Sequence, residues 1–449
     1  MIKVTPVLAT LVSALLAVGS TGVVQAESPA HDQGVGGSAG GSDAGRGFQG
    51  AAFVVAWNRE LLHIVQIPGA QPATVHQTRS YALLHAAIYD AVVSITRNGR
   101  PFLVSVDAPG GARPDAAAAA AGHATLAALY PALRPELDQL LADQLALIPG
   151  GRARQEGIKV GDKVASRLLA ARVDDGSGAT PASFVAGTQP GDYRSTPPNF
   201  PSPVFSDWGN VTPFVLRDGA QFRPAPPPTL RSAAYARALN EVKSLGQDSS
   251  TTRTAEQTLI GRFWAPPIWN TWNAIAEEAA LAHHTNLVRT AAMFAALNLS
   301  FADSAIAMYD AKYHYQLWRP VTAIRLADTD GNPTTAGDPT WTPLAPTAPD
   351  PSYPGAHSTI SAAGAAVLSD FFGNRDEIQV SSPAVPEAVR TFSTYTGVAT
   401  EAGLSRIYAG QHTRIDHVAG LQLGSSVARF VLHESGLGRF GRGGADDRP

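Results

Sequence analysis

The stretch "PSYPGAHSTISAAGAAVLSDFF", residues 351–372, changes character part-way along. Pro354 ends a proline-rich loop, Gly355 and Ala356 make a tight turn, and an alanine-rich run follows with Ile360, Val367 and Leu368 among small residues. Good helix formers with no further proline predict a helix over 357–372. The same signature recurs on both sides. Towards the C-terminus a helix is predicted over 413–432, with Ala419, Leu423, Val427 and Val431 on its packing face. Towards the N-terminus, "TRSYALLHAAIYDAVVSI" (78–95) is apolar at helical spacing. Residues 113–148 are rich in alanine and leucine, with Pro135 opening a second helix, and 151–173 add another. Helices resume at Arg231 and run, with breaks, to about Trp318. No internal repeat and no strand alternation emerges. The expectation is an all-α fold: one large bundle of about a dozen helices over residues 51–449.

Two long loops interrupt it. Residues 174–231 are dense in proline and glycine and read as a rigid surface excursion of the kind that shapes a binding mouth. A second loop covers 327–354. Its "DTDGNPTTAGD" resembles a calcium loop, but Gly331 comes too early and the bidentate glutamate is missing, so a polar turn is expected.

Of the 449 residues, 44% are hydrophobic and 16% charged, as in an ordinary packed protein. A net charge of −3 gives no basic field for nucleic acid. The chain has no cysteine, which excludes disulfides, thiolate metal sites and a cysteine nucleophile. At the N-terminus, Lys3, the apolar run Leu8 to Val18 and Val24-Gln25-Ala26 predict a secretory signal over 1–26. A flexible Gly/Ser-rich leader over 27–50 would follow. No later stretch reads as long and apolar enough to cross a bilayer, so an exported protein is expected.

Three segments near the C-terminal end carry candidate chemistry. In "KYHYQLWRP", Lys312 and Arg319 are seven residues apart, which on one helix places them within about 20° of one face. Two such cations need an anion between them or water around them, and the aromatic neighbours Tyr309, Tyr313, Tyr315 and Trp318 argue against water. The turn before His357 would present the Gly355 and Ala356 amides to an anion, with His357 as acid-base group. The bland alternative is a helix cap by Ser358 or Thr359. In "SRIYAGQHTRID" (405–416), Arg406 suits an oxyanion. Asp416 can fix the tautomer of His412 and leave its other nitrogen as nucleophile or metal ligand; alternatively His412 is a core histidine with a satisfied aspartate. Weaker candidates are the tandem His283-His284, whose rings point about 100° apart, His85 on an apolar helix, and Asp303 with Asp310 on one helix face.

Taken together, Lys312-x6-Arg319-Pro320, then Pro354 to His357, then Ser405-Arg406-x5-His412-x3-Asp416 resembles the signature of vanadium-dependent haloperoxidases and the related type 2 phosphatidic acid phosphatase and bacterial acid phosphatase superfamily. "GDYRSTPPNF", "WGNVTPF" and "FWAPPIWNTWNAIA" are similar to the exported bacterial haloperoxidase-like branch. The resemblance implies a helical bundle with one site. Lys312, Arg319 and Arg406, with the Gly355 and Ala356 amides, would hold vanadate or phosphate. His412 would bond to vanadium, or form a phosphohistidine. His357 would be the acid-base residue, and Asp416 would orient His412. The implied activity is oxidation of halide by hydrogen peroxide with vanadate as cofactor, Tyr309, Trp318 and Tyr353 being candidates to line a halide pocket. The alternatives are an exported acid phosphatase acting on a phosphate monoester without a cofactor, and a non-catalytic binding protein with a vestigial site. One departure stands out. The family turn is Pro-Ser-Gly-His and here it is "PGAH", so a hydroxyl donor is missing at Gly355, a loss of about 1.5–3 kcal/mol of oxyanion binding.

Overall fold

The computed structural model describes residues 43–70, 75–181 and 183–440, and the expected signal segment lies outside them, as does the leader up to residue 42. Five helices form the N-terminal half: α1 (Asp43–Ile64), α2 (His76–Thr96), α3 (Pro114–Leu129), α4 (Arg134–Ala146) and α5 (Arg152–Ala171). After a long irregular segment come α6 (Ala233–Leu245), α7 (Ala255–Phe263), α8 (Ile268–Ala282), α9 (Leu287–Tyr315) and the short α10 (Pro320–Arg325). The chain closes with α11 (Ala356–Phe372), strands β1 (Arg375–Ser381) and β2 (Val389–Thr394), α12 (Tyr395–Tyr408) and α13 (Arg414–Glu434). The fold is mainly α, as the helical patterning implies.

The centre is α9. From Thr290 to Tyr309 every residue is buried, so the helix has no solvent face; α2, α11 and α13 pack around it. By length and composition α9 could cross a membrane, against the expectation that no later stretch would, but its apolar window is wholly buried inside the fold. Its hydrophobicity serves the core. Around it, α2 is buried from Ser80 to Ser94 and packs on α3, which in turn packs on α5.

Backbone contact between α11 and α13 fixes the geometry of the C-terminal end. A Cβ at Gly424 would stand 1.9 Å from the Thr359 carbonyl oxygen, and one at Gly420 would stand 2.6 Å from that of Gly355. Only glycine at both places lets the two helices approach this closely. The turn before α11 is thereby pressed against the start of α13.

Four further features differ from the sequence reading. Helix α1 begins at Asp43, so the last eight residues of the expected leader, 43–50, are helical. Residues 375–394 form an antiparallel hairpin, where no strand was expected. Its alternation is carried by two buried side chains, Ile378 and Val380, too few to stand out from the helical background. Helix α12 is also additional; Thr396, Thr400 and two glycines dilute its helical signal, and the Thr394 side chain caps it by accepting from the Gly397 amide. Lastly, α9 stops at Tyr315. Gln316 is left-handed, with φ 49° and its amide bonded to Lys312 O at 2.9 Å. Lys312 and Arg319 therefore share no helix.

The long loop is held to the bundle by polar anchors, which explains its order without regular structure. Asp303 of α9 accepts from the Phe214, Val215 and Leu216 amides at 2.7–2.9 Å. Asp310 forms a two-bond pair with Arg223. Tyr193 N bonds to Gln316 O at 2.6 Å, and Tyr353 Oη donates to Ala225 O at 2.6 Å. The loop thus lies against the segments that carry the candidate residues.

Candidate active site

Each candidate side chain comes from the end of an element. Lys312 is in the last turn of α9, Arg319 is the N-cap of α10, and His357 is in the first turn of α11. Arg406 lies in the last turn of α12, and His412 directly precedes Thr413, the N-cap of α13. Lys312, Arg319, Arg406, His412 and Asp416 are all buried, and His357 is half-buried.

His412 is held from both sides. Its Nε2 is 3.1 Å from Arg319 Nη1. A guanidinium only donates, so this nitrogen accepts, and the proton of the neutral ring resides on Nδ1. Nδ1 in turn faces Asp416 Oδ2 and Ser352 Oγ, each at 3.4 Å. Asp416 also closes the capping box of α13, taking the Thr413 amide at 2.7 Å, and it accepts the Ser352 hydroxyl at 2.8 Å. Burial and the nearby Arg319 push the His412 pKa down to about 4, with Asp416 resisting. At neutral pH the ring is uncharged and its Nε2 lone pair points at Arg319.

The cations are not alike. Arg319 donates to the Asp350 carbonyl (2.7 Å), the Gln411 carbonyl (3.0 Å) and the Asp350 carboxylate. Lys312 donates to Asp350 Oδ1 at 3.1 Å and to the Pro351 and Ser352 carbonyls. Burial drags its pKa down to about 8 although Asp350 opposes it. Burial would raise Asp350, but Lys312 and Arg319 together hold it at about 2. Arg406 has no carboxylate partner among the described residues. It donates to the Trp264 and Gly261 carbonyls at 3.2 and 3.1 Å, and its buried Nε has no partner. Burial and Arg319 bring its pKa down to about 10.

His357 Nε2 lies 2.8 Å from the Trp264 carbonyl, which can only accept, so Nε2 carries the proton and Nδ1 is the basic nitrogen. Burial and Arg406 keep its pKa well below the ordinary value.

Gly355 departs from expectation: its amide donates to Asp416 O at 2.9 Å and so is already committed. The capping alternative also fails. Gly355 is the N-cap and offers no side chain, Ser358 is 2.9 Å from His417 Nδ1, and Thr359 bonds back to Gly355 O. Asp303 and Asp310, bound to the long loop, do not reach the site. His283 pairs with Asp376 at 2.9 Å, apart from these residues, and no metal-holding group of three His, Asp or Glu exists among the described residues. Tyr309 reaches the site differently from expectation, donating to Asp350 Oδ2 at 3.2 Å. Asp350, Ser352 and the Trp264 carbonyl escaped the sequence reading. A lone aspartate and serine in a proline-rich loop carry no periodicity, and a backbone carbonyl carries no residue signal.

Residues 292–435, which include Lys312, Arg319, His357, Arg406, His412 and Asp416, match the family described as "VCPO second helical-bundle domain". The chain is also 25% identical over 498 aligned positions to a vanadium chloroperoxidase of Curvularia inaequalis, across 82% of this chain and 79% of that protein. Over residues 292–435 it is thus similar to members of the vanadium haloperoxidase superfamily. The fold agrees with two bacterial members of that superfamily. A vanadium-dependent iodoperoxidase superposes with a TM-score of 0.72 at 24% identity, covering 86% of this chain and 96% of that one. A holo-type vanadium-dependent chloroperoxidase gives 0.65 at 16% identity, covering 82% and 93%.

Proposed function

We propose that this protein is an exported enzyme that holds vanadate beside His412 and oxidises halide with hydrogen peroxide. The observation that carries the proposal is the pairing of Arg406, a buried guanidinium with an unpartnered Nε, with an uncharged His412 whose Nε2 is turned toward Arg319. A buried cation without a counter-charge is costly, and an anion at Arg406 relieves that cost. A nitrogen lone pair among guanidinium groups fits an oxyanion whose central atom accepts that lone pair.

The donor set fits vanadate. His412 Nε2 would be its ligand, and Arg406, Arg319 and Lys312 would hold its oxygens. Bound there, vanadate would supply activation of hydrogen peroxide for oxygen transfer to halide. The protein's part is to bind and to move protons. Asp416 and Ser352 keep the His412 proton on Nδ1, so Nε2 stays available from about pH 5 upward. His357, neutral and basic at Nδ1, can take the proton that hydrogen peroxide must lose and return it to a leaving oxygen. The N-terminal pattern of Lys3, Leu8 to Val18 and Val24-Gln25-Ala26 supports export.

The test uses purified protein freed of phosphate, with and without vanadate. Iodide, bromide and chloride oxidation with hydrogen peroxide is assayed beside hydrolysis of a chromogenic phosphate ester. The expected result is halide oxidation only with vanadate, abolished in His412→Ala. Ester hydrolysis that vanadate inhibits, without halide oxidation, would replace this reading with an acid phosphatase acting through the same histidine.

A further inference from the structure

We propose that Asp350 is a specificity-determining residue, an internal carboxylate that occupies Lys312 and Arg319 and exchanges with the incoming oxyanion. The inference rests on the functional reading above, since it concerns the same pocket. It begins with the donors. An ammonium has three N–H bonds, and Lys312 directs contacts to three oxygens, those of the Asp350 carboxylate and the Pro351 and Ser352 carbonyls. A guanidinium has five, and Arg319 is engaged by two oxygens of Asp350, by Gln411 O and by His412 Nε2. Two of the three cations therefore already have an anion. Arg406 has no carboxylate partner among the described residues, and its buried Nε has no acceptor.

Charge leads to the same place. The pocket gathers Lys312, Arg319 and Arg406 against the carboxylates of Asp350 and Asp416, with Asp416 turned to His412, Ser352 and Thr413. Asp350 also accepts from Tyr309. An oxyanion that takes donors from Lys312 and Arg319 competes with the Asp350 carboxylate for them, and like charges sharing cations repel. Release is feasible because Asp350 belongs to the irregular segment after α10, between two prolines, Pro349 and Pro351, and not to a packed helix. The site then rests as an internal salt bridge and is loaded by anion exchange, which lowers affinity and favours oxyanions that remain partly protonated.

Phosphate and vanadate binding is measured by calorimetry at fixed pH and ionic strength on the wild-type chain and Asp350→Asn, with melting temperatures for both. Asp350→Asn should bind phosphate about tenfold tighter or more, the worth of one charged hydrogen bond. It should melt lower than wild type without anion and rise further when phosphate is added. Equal or weaker binding by a folded Asp350→Asn, with wild type binding, overturns the exchange and leaves the functional reading intact. If neither protein binds phosphate or vanadate, the functional reading falls as well. Should Asp350→Asn fail to fold, a crystal of the wild-type chain soaked in tungstate decides. The expectation is tungstate at Arg406 with Asp350 drawn off Lys312 and Arg319; tungstate bound with both contacts kept overturns the proposal.

Discussion

His85 and His412 are both buried, and burial depresses both, to about 3 and about 4. By basicity alone they are nearly the same residue. His85 sits in α2, stacked on Phe294 at 4.7 Å, with Nε2 2.8 Å from Asn58 Oδ1. Asn58 Nδ2 donates to Glu277, which leaves Oδ1 as the acceptor, so His85 carries its proton on Nε2. Its other nitrogen has no hydrogen-bond partner. In His412 the polarity is reversed: a cation faces Nε2 and a carboxylate faces Nδ1. A perturbed pKa therefore does not distinguish a structural histidine from one proposed to do chemistry. What distinguishes them is which nitrogen keeps its lone pair and what charge it faces.

The sharpest way to break this comparison is to remove each ring. His412→Ala should lower vanadate-dependent halide oxidation by more than the ~10²–10³-fold typical of one lost electrostatic contact. His85→Leu should keep that activity and instead cost about 1–3 kcal/mol, because Asn58 Oδ1 loses its donor. Steady-state kinetics and urea denaturation on both variants check this. Equal losses of activity would mean that the orientation of the lone pair is irrelevant.

The two arginines sharpen it next. Arg319→Ala leaves buried Asp350 with Lys312 as its one remaining ion-pair partner among the described residues and should destabilise by about 3–5 kcal/mol. Arg406→Met removes a cation that has no carboxylate and should change stability without anion by less than about 2 kcal/mol. Its loss should appear on adding vanadate, when it fails to show the rise of about 2.7 kcal/mol expected at a hundredfold excess over Kd. Denaturation with and without vanadate separates the two effects.

The same contrast explains how much was legible in the sequence. Helices α9 and α11 were legible as long runs of apolar and alanine-rich helix formers without proline, and α13 by apolar residues recurring at helical spacing. The cations and histidines of the candidate site could be picked out together because short motifs keep them in order. Arg319 was placed on the wrong element because Gln316, a left-handed non-glycine, carries no sequence mark of a helix end. Asp350 went unread because its partners are 31 and 38 residues away. The commitment of the Gly355 amide depends on the Gly420 and Gly424 contacts between helices, a tertiary fact with no local trace.

Acid should act on the two regions in opposite directions. Asp350 is held at about 2, below its ordinary 3.8, so its stabilisation is present above pH 4 and is lost as pH falls towards 2, about 2 kcal/mol in all. Asp303, pushed up to about 6 by burial despite three amide donors, prefers its proton when folded. Its contribution therefore weakens as pH rises from about 4 to 6. Chemical denaturation across pH 2–7 should show a flatter acid limb in Asp350→Asn and a flatter limb between pH 4 and 6 in Asp303→Asn.

The smallest effect concerns the turn where the family serine is missing. Gly355 has φ −76° and ψ 123°, a conformation that any residue adopts, so serine brings no backbone strain. A Cβ there would meet Asp416 O at 3.3 Å and Ser358 Oγ at 3.5 Å, which is tight but tolerable. Gly355→Ser should therefore fold normally. The new hydroxyl has two acceptors to choose from, the Asp416 carbonyl beside it and an oxyanion held by Arg406. If it reaches the oxyanion, vanadate affinity rises by up to about tenfold. If the Asp416 carbonyl captures it, affinity is unchanged, and the committed Gly355 amide extends into a fully committed turn. Calorimetric titration with vanadate distinguishes the two, and a gain in affinity would locate the bound anion against the first turn of α11.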